Sequence, residues 1–474
     1  MYNLSDTIAA ICTPTGVGSI AGIRISGKDS WSIVSKIFEV QNSELPLTHM
    51  QAQHGYIKEG DKTIDEVIVL PFKAPNSFTA EDVIEIFTHG GNQVTSMVLD
   101  LCLKNGARLA KNGEFSFRAF INGRIDLTEA EAINDLINAS SSKAVFSATG
   151  ILSGSLKEKV KSFHEKLLFL VTKIEGSIEF PMDVGESKKD ELKKDLEKIN
   201  LELKALIETS KEGQILRDGL KVSIIGAPNA GKSSLLNRLL ENERAIVTNI
   251  PGTTRDTIEE KINLNGYPIV LVDTAGIRHD GKIDEAEKHG IERSKSALEK
   301  SDLALVVFDI TKDDVSSIIN SINGKPKILV GNKMDLISGG CHSEEPCDEE
   351  SINVSRFFAN AQNDSNKLDI LISAKDGTNI DKLKSLIIEK IKFLSPSTIN
   401  HKPSTFFINQ RQKELLIQCS NSIDFAMEVI NKNDPEDLIA DELKKAVSKL
   451  DEISGQKVNQ EIILNIFSKF CIGK

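Results

Sequence analysis

"GAPNAGKS", residues 226–233, has the spacing G-x-x-x-x-G-K-S and lies between an apolar run, "KVSII", and a helical pattern, "SSLLNRLL". Glycines at such a junction let consecutive backbone N–H groups close around phosphate oxygens, and the following helix adds its positive dipole end. Asn229, Ala230 and Gly231 form the bend, Lys232 reaches toward β- and γ-phosphates, the Ser233 hydroxyl suits Mg²⁺, and Ser234 opens the helix.

Three further stretches follow in the order such a site needs. "DTAG" (Asp273, Thr274, Ala275, Gly276) ends an apolar run, which puts Asp273 near the metal and Gly276 near the γ-phosphate. "NKMD" supplies Asn332, Lys333 and Asp335 after another such run. A carboxylate at Asp335 accepts the guanine N1–H and N2–H₂ donors together; adenine has no such pair and would leave the charge unpaired. "SAK" (Ser373, Ala374, Lys375) adds backbone and side-chain-stem contacts to the base. Between the first two motifs, "VTNIPGTTRD" offers Thr254 to Mg²⁺ and to the γ-phosphate, while Thr248, Asn249, Ile250, Pro251, Gly252 and Thr253 bring carbonyls close to the phosphates. Together these residues imply a GTP site.

The residue after Gly276 is Ile277, whose side chain can orient no water. An arginine finger contributes roughly 10³–10⁵ in rate, so both a water orienter and a positive charge have to come from elsewhere. Asn229, with backbone carbonyls near Thr248 and Ile250, offers hard oxygens to a monovalent cation. The stretch "KIDEAEKHGIER" offers Asp284, Glu285, Glu287 and Glu292 as carboxylates, and charge alone does not choose among them.

The elements that must carry these residues change character along the chain. Residues 1–120 mix short apolar runs ("SIAGIRIS", "DEVIVLPF", "EDVIEIF") with Gly, Pro and Asn turns and read as α+β. From Leu127, "LTEAEAINDLINASSS", "SFHEKLLFLVTKIEGSIEF" and "KKDELKKDLEKINLELKALIETS" have amphipathic helical spacing. From Leu220 short, doubly apolar runs alternate with helical patterns, the rhythm of a parallel sheet wrapped by helices, until about residue 390. Helices then return; in "NDPEDLIADELKKAVSKLDEIS", Asp434 is placed to cap, with Pro435 at the first helical position. The expected architecture is therefore multidomain α/β. An α+β domain (1–120) precedes a discontinuous α-helical bundle domain (121–216 and 391–474), into which a P-loop α/β domain (217–390) is inserted.

Net charge of −11 argues against a protein that coats nucleic acid by charge alone. No run of about 18 apolar residues predicts a membrane span, and the start "MYNLSDTIAAICTP" has no basic leader. Six scattered cysteines read as free thiols of a reducing cytoplasm. Residues 338–367 are polar, acidic and aperiodic; Cys341, His342 and Cys347 there are too few for a metal site, and a surface insertion is expected. The glycines of "TGVGSIAG" are spaced GxGxxxG, not as in a dinucleotide fingerprint. His54 and His89 read as structural.

"GAPNAGKSSLLN", "IPGTTRD", "DTAGIR", "EKHGIERS", "DTIAAICTPTGVGSIAGIRISG", "PNSFTAEDVIEI", "THGGN", "GEFSFRAFINGRIDLTEAEAINDLI" and the terminal "FCIGK" together resemble the MnmE (TrmE) tRNA modification GTPases over nearly the whole chain. The resemblance implies a folate-binding N-terminal domain that dimerises, a discontinuous helical domain and an inserted Ras-like GTPase domain. It implies GTP hydrolysis activated by K⁺ and Mg²⁺, with Ser233 and Thr254 as Mg²⁺ ligands and Asn229, Thr248, Ile250 and Thr253 as K⁺ ligands. The family's "VExxGI" pattern falls on "AEKHGI" and makes Glu287 the catalytic carboxylate, although Ala286 replaces the usual valine. Arg24, Glu85, Arg124 and Lys474 match the family's folate-binding positions, for 5-formyl- or 5,10-methylene-tetrahydrofolate, and Cys471 matches a near-terminal cysteine beside them. The implied partners are a second copy of the chain, an MnmG (GidA)-like FAD protein in a heterotetramer, and tRNA. The implied reaction adds an aminomethyl or carboxymethylaminomethyl group to C5 of the wobble uridine. The alternative is a GTP switch in ribosome assembly of the Era or EngA kind, which carries an RNA-binding KH domain; no GXXG-type clamp occurs in the helical segments here.

Overall fold

Alternation of apolar and polar residues, with its period of two, decides the first sheet. The computed structural model describes residues 4–41, 46–180, 189–241, 260–272, 298–299, 301–311, 325–336, 368–394 and 406–474. Strands β1 (Ile8–Ile11), β2 (Ile20–Ser26), β3 (Phe38–Val40), β4 (Gln53–Glu59), β5 (Lys62–Phe72), β6 (Val83–His89) and β7 (Arg108–Leu109) are ordered β3-β4-β5-β6-β2-β1-β7. Neighbours are antiparallel except β1 and β7. Ile23, Ile25, Val67, Val69, Ile84 and Ile86 share one face, buried beneath α1 (Ser30–Ile37) and α2 (Asn92–Lys104) through Ile33, Val34, Val98 and Leu101. The intervening residues, Arg24 and Glu85 among them, point to the other face, where they are cross-strand partners. A third helix, α3 (Glu114–Ile121), follows.

The helices α4 (Leu127–Ile137), α5 (Ser142–Leu152), α6 (Ser155–Glu179) and α7 (Lys189–Asp218) come next. Beyond them a second sheet contains β8 (Leu220–Ile225), β9 (Glu260–Leu264), β10 (Tyr267–Val272), β11 (Leu303–Asp309), β12 (Lys327–Asn332) and β13 (Ile370–Leu371), in the order β13-β12-β11-β8-β10-β9. Its strands are parallel except for β9. Every residue of β10 and β11 is buried, as expected of strands covered on both faces. Asn265 and Gly266 both have positive φ, 48° and 84°, so the β9–β10 turn is the tight type that an Asn-Gly pair favours. The helices α8 (Lys232–Glu241) and α9 (Ile380–Leu394) belong to this part, and α10 (Gln410–Lys432), α11 (Glu436–Ser454) and α12 (Gln460–Ser468) complete the chain.

Helix α11 starts one residue later than its sequence suggests. Pro435 has ψ 142°, an extended value that leaves it outside the helix as the cap residue, and Glu436 and Asp437 form the acidic first turn. Apolar residues at three-to-four spacing pack α6 against α11, Val160, Phe163, Leu167 and Ile174 on one side and Leu443, Ala446, Val447 and Leu450 on the other.

The chain divides into two compact units: residues 1–134, 151–199 and 418–474 form one, and 135–150 and 200–417 form the other. In the first, the end of the chain returns to the N-terminal residues. The Gly113 N–H donates to Cys471 O at 3.3 Å and the Phe115 N–H to Lys474 O at 3.2 Å. Phe467, fully buried, meets Phe117 edge-on at 5.5 Å between centroids and Phe470 at 5.3 Å. Gly113 lies so close that a Cβ there would sit 2.2 Å from Phe467 O, and one on Gly473 would sit 2.3 Å from Ile11 O. Truncating Phe467 to Ala is expected to destabilise this unit by about 3–5 kcal/mol. The check is hydrogen exchange at the Gly113 and Phe115 amides, which should lose protection; retained protection would mean that Phe467 does not hold the tail.

Candidate functional site

Residues 226–231 form the loop between β8 and α8, at the carboxyl edge of the parallel strands, where open α/β sheets receive ligands. Gly226 passes directly against β11: an added Cβ would lie 1.8 Å from Val307 O. Asn229 and Gly231 have φ of 66° and 91°, the left-handed values that turn successive N–H groups inward. Ala230 is fully buried. The Lys232 ammonium donates to Gly226 O at 3.0 Å and to Ala227 O at 2.7 Å, spanning the loop it begins from. Ser233 and Ser234 follow in the first turn of α8.

One side of the loop is held by the base-side motifs. Asn332, buried at the end of β12, donates through Nδ2 to Ala230 O at 2.8 Å and accepts through Oδ1 from the Ala374 N–H at 3.0 Å. Its amide thus ties the phosphate loop to residues 373–375. Asp335 Oδ1 accepts from the Ser373 hydroxyl at 2.8 Å, and Ser373 Oγ accepts from the Asp376 N–H at 3.2 Å. Arg238 of α8 donates to the carbonyls of Ala374 and Lys375. Lys333 has φ 69° and places Nζ 2.6 Å from Asp309 Oδ2. Sequence reading passed over Arg238 and Asp309. For Asp309 a signal existed, an acid ending the otherwise apolar run "LALVVFD".

Thr248, Asn249, Ile250, Pro251, Gly252, Thr253, Thr254, Asp273, Thr274, Ala275, Gly276 and Glu287 lie outside the described residues, as do Asp284, Glu285, Glu292 and the stretch 338–367. The strand that leads to Asp273 is described, and β10 lies beside β8 in parallel register, Val272 opposite Ser223.

A second constellation lies in the other unit. Arg24 of β2 donates from Nε to Glu85 Oε1 of β6 at 2.9 Å, with Nη2 at 2.8 Å from the same oxygen. Its guanidinium stacks on Phe78, 4.5 Å from the ring centroid, while Nη1 is buried with no hydrogen-bond partner among the described residues. Arg124 shares that ring at 5.1 Å and donates to Phe78 O at 2.9 Å. Burial, and then the Arg24 charge, lower the Arg124 pKa from its usual value. Burial also pushes the Cys12 thiol up, the charges of Arg24, Glu85 and Lys474 having smaller effects. Two guanidiniums, one carboxylate, an aromatic ring and an unspent donor suit a planar, donor–acceptor heterocycle carrying an anionic tail. Cys471 is exposed and contributes its backbone carbonyl to Gly113. His54 and His89 lie elsewhere, exposed and paired with Glu66 at 2.8 Å and Asp65 at 2.6 Å.

The fold and the first site define a P-loop GTPase unit carried in a chain with a separate α+β and helical unit. The family model described as "GTP-binding protein TrmE N-terminus" matches residues 7–124, and "MnmE helical domain" matches residues 127–471. The tRNA modification GTPase MnmE of Moorella thermoacetica is 40% identical over 478 residues, covering 99% of this chain and 100% of that one. The one from Streptococcus thermophilus is 39% identical, covering 99% and 98%. A solved structure of Aquifex aeolicus Era bound to GDP·AlF4⁻ matches at 27% identity over 43% of this chain and 66% of that one, with a TM-score of 0.26. The chain belongs to the MnmE family of tRNA modification GTPases. Among the described residues no helix is long and apolar enough to cross a membrane.

Gly226→Ala should cost the loop at least two phosphate hydrogen bonds, and so weaken GTP binding about 100-fold or more. Titration with a fluorescent GTP analogue measures this; near-normal affinity would show that β11 can yield at Val307.

Proposed function

We propose that this chain is a potassium-activated GTPase that works with an MnmG (GidA)-like FAD protein to add an aminomethyl or carboxymethylaminomethyl group to C5 of the wobble uridine of certain tRNAs. The observation that carries this reading is the joint presence, in a chain alike end to end to tRNA modification GTPases, of the assembled phosphate loop and the Arg24–Glu85–Arg124 constellation.

In this reading Lys232 neutralises the β- and γ-phosphates, and Ser233 and Thr254 ligate Mg²⁺. Asp335 reads guanine, with Lys333 and residues 373–375 framing the base. The left-handed turn at Asn229 suits an inward-facing side chain, and Asn229 ligates K⁺ together with Thr248, Ile250 and Thr253. That ion supplies the charge of a missing finger, and Glu287 orients the water that Ile277 cannot. Reduced folate, 5-formyl- or 5,10-methylene-tetrahydrofolate, brings a one-carbon unit. Its pterin edge takes the Glu85 carboxylate and the orphan Arg24 Nη1, and Arg124 and Lys474 receive the acidic tail. Cys471 stands near enough in sequence to Lys474 to share that site.

The working assembly is a homodimer formed through the N-terminal domain, joined by the flavoprotein as a heterotetramer that handles tRNA in the cytoplasm. Exposed Val17, Ile20 and Ile68 give the N-terminal unit apolar surface for such a contact. The division into residues 1–120, 121–216 with 391–474, and 217–390 describes the same molecule by function.

Two measurements test this. In the full chain, GTP turnover should rise about tenfold or more in KCl over NaCl, and Glu287→Ala should abolish that rise with GTP affinity intact. Equal rates in both salts would remove the cation, and an active Glu287→Ala enzyme would move the carboxylate role to Asp284, Glu285 or Glu292. Mass analysis of wobble nucleosides in tRNA from a strain lacking the gene should show unmodified C5. Unchanged nucleosides would favour ribosome assembly instead.

A further inference from the structure

Asp309 is the last residue of β11, buried and in register with Asn332 of β12. Its two oxygens have different tasks. Oδ1 accepts from the Thr311 N–H at 3.0 Å and the Thr311 hydroxyl at 2.7 Å, which fixes the carboxylate to its own turn. Oδ2 accepts from Lys333 Nζ at 2.6 Å. Burial works against the charge, yet the bonds from Lys333 and Thr311 outweigh it and keep the carboxyl below its ordinary range. Asp309 is therefore a fixed anion at neutral pH.

Lys333 has φ 69°, a conformation a residue with a Cβ adopts only where its surroundings impose it. Its carbonyl is tied to the Leu336 N–H at 3.1 Å, and the next residue's N–H, that of Met334, donates to Ile372 O at 3.1 Å. On either side of this turn stand Asn332, which clamps the phosphate loop, and Asp335, which faces Ser373. We propose that Asp309 is a positioning residue of the guanine site: by anchoring the Lys333 ammonium it keeps the lysine stem extended beside the base and holds the left-handed turn that sets Asn332 and Asp335 at their spacing. The proposal rests on the assignment of residues 332–335 to guanine and adds a residue outside the motif to that site.

The test uses the full-length protein, with N-methylanthraniloyl-GDP and GTP as probes. Asp309→Asn keeps the shape and removes the charge. It should weaken GDP and raise the KM for GTP about tenfold with kcat unchanged. Lys333→Ala should lose a similar factor, and the double variant should lose no more than either alone. The melting temperature of the nucleotide-free protein separates this from simple destabilisation, since a structural role would lower it and leave the KM alone. Should Asp309→Asn fail to fold, Thr311→Val, which removes the hydroxyl bond to Oδ1 and keeps the backbone N–H bond, should still weaken GDP about threefold. Binding within about twofold of the wild type in the variant that folds, or losses that add in the double variant, would overturn the proposal. Asp335→Asn is the control on the underlying assignment. An amide can donate to the C2 carbonyl of xanthine, so preference should pass from GTP to XTP. If it does not, the base site is misplaced; if it does while Asp309→Asn binds normally, the positioning role alone is wrong.

Discussion

The nucleotide unit depends on how closely its backbone can be brought to itself at one strand edge. Gly226 lies against the Val307 carbonyl with no space for a methyl group, and a Cβ on Gly231 would meet Asn332 Nδ2 at 2.1 Å. Those two approaches set how tightly the 226–231 backbone is wound, the close turn that a phosphate-binding loop requires. They also explain why Asn332 can span from Ala230 to Ala374 with a single amide. Loops that are far apart in sequence become one surface because the strands that deliver them are adjacent and parallel.

In the other unit the controlling constraint is the pleat. Ile23 and Ile25 on β2, and Ile84 and Ile86 on β6, commit one face to the core, so Arg24 and Glu85 must face the opposite way and meet. Their face is bordered by a fully buried arginine, Arg118, which donates to Asp6 O at 2.9 Å and to Glu81 Oε2 at 3.0 Å and lies 3.4 Å from Glu114. That network ties the residue just before β1, the 77–82 turn and α3 together. A charge so placed is tolerable only because its partners are charged and hydrogen-bonded. Phe78 then serves both Arg24 and Arg124, drawing two like charges to one ring.

Features that depend on neighbours in sequence were legible from the residues. The strand–loop–helix around residues 226–233, the doubly buried runs of β10 and β11, and the helical spacing of α6 and α11 all arise from local apolar patterning and from backbone preferences. Pro435 shows the limit of such reading. A proline that suits the first helical position also suits the cap, and only the observed ψ separates the two.

Tertiary structure decided what meets across the chain. Asp309 and Lys333 are brought together by the pairing of β11 with β12, and Phe78 with Arg24 and Arg124 by the turn that follows β5. The tail's seat on Gly113 and Ile11 requires space that no local pattern encodes. Composition and spacing determined which chemistry was on offer, because residue type sets charge, donors and backbone freedom. Packing determined which groups share a site, because a contact between distant residues forms only when the cores beneath them place their backbones within reach.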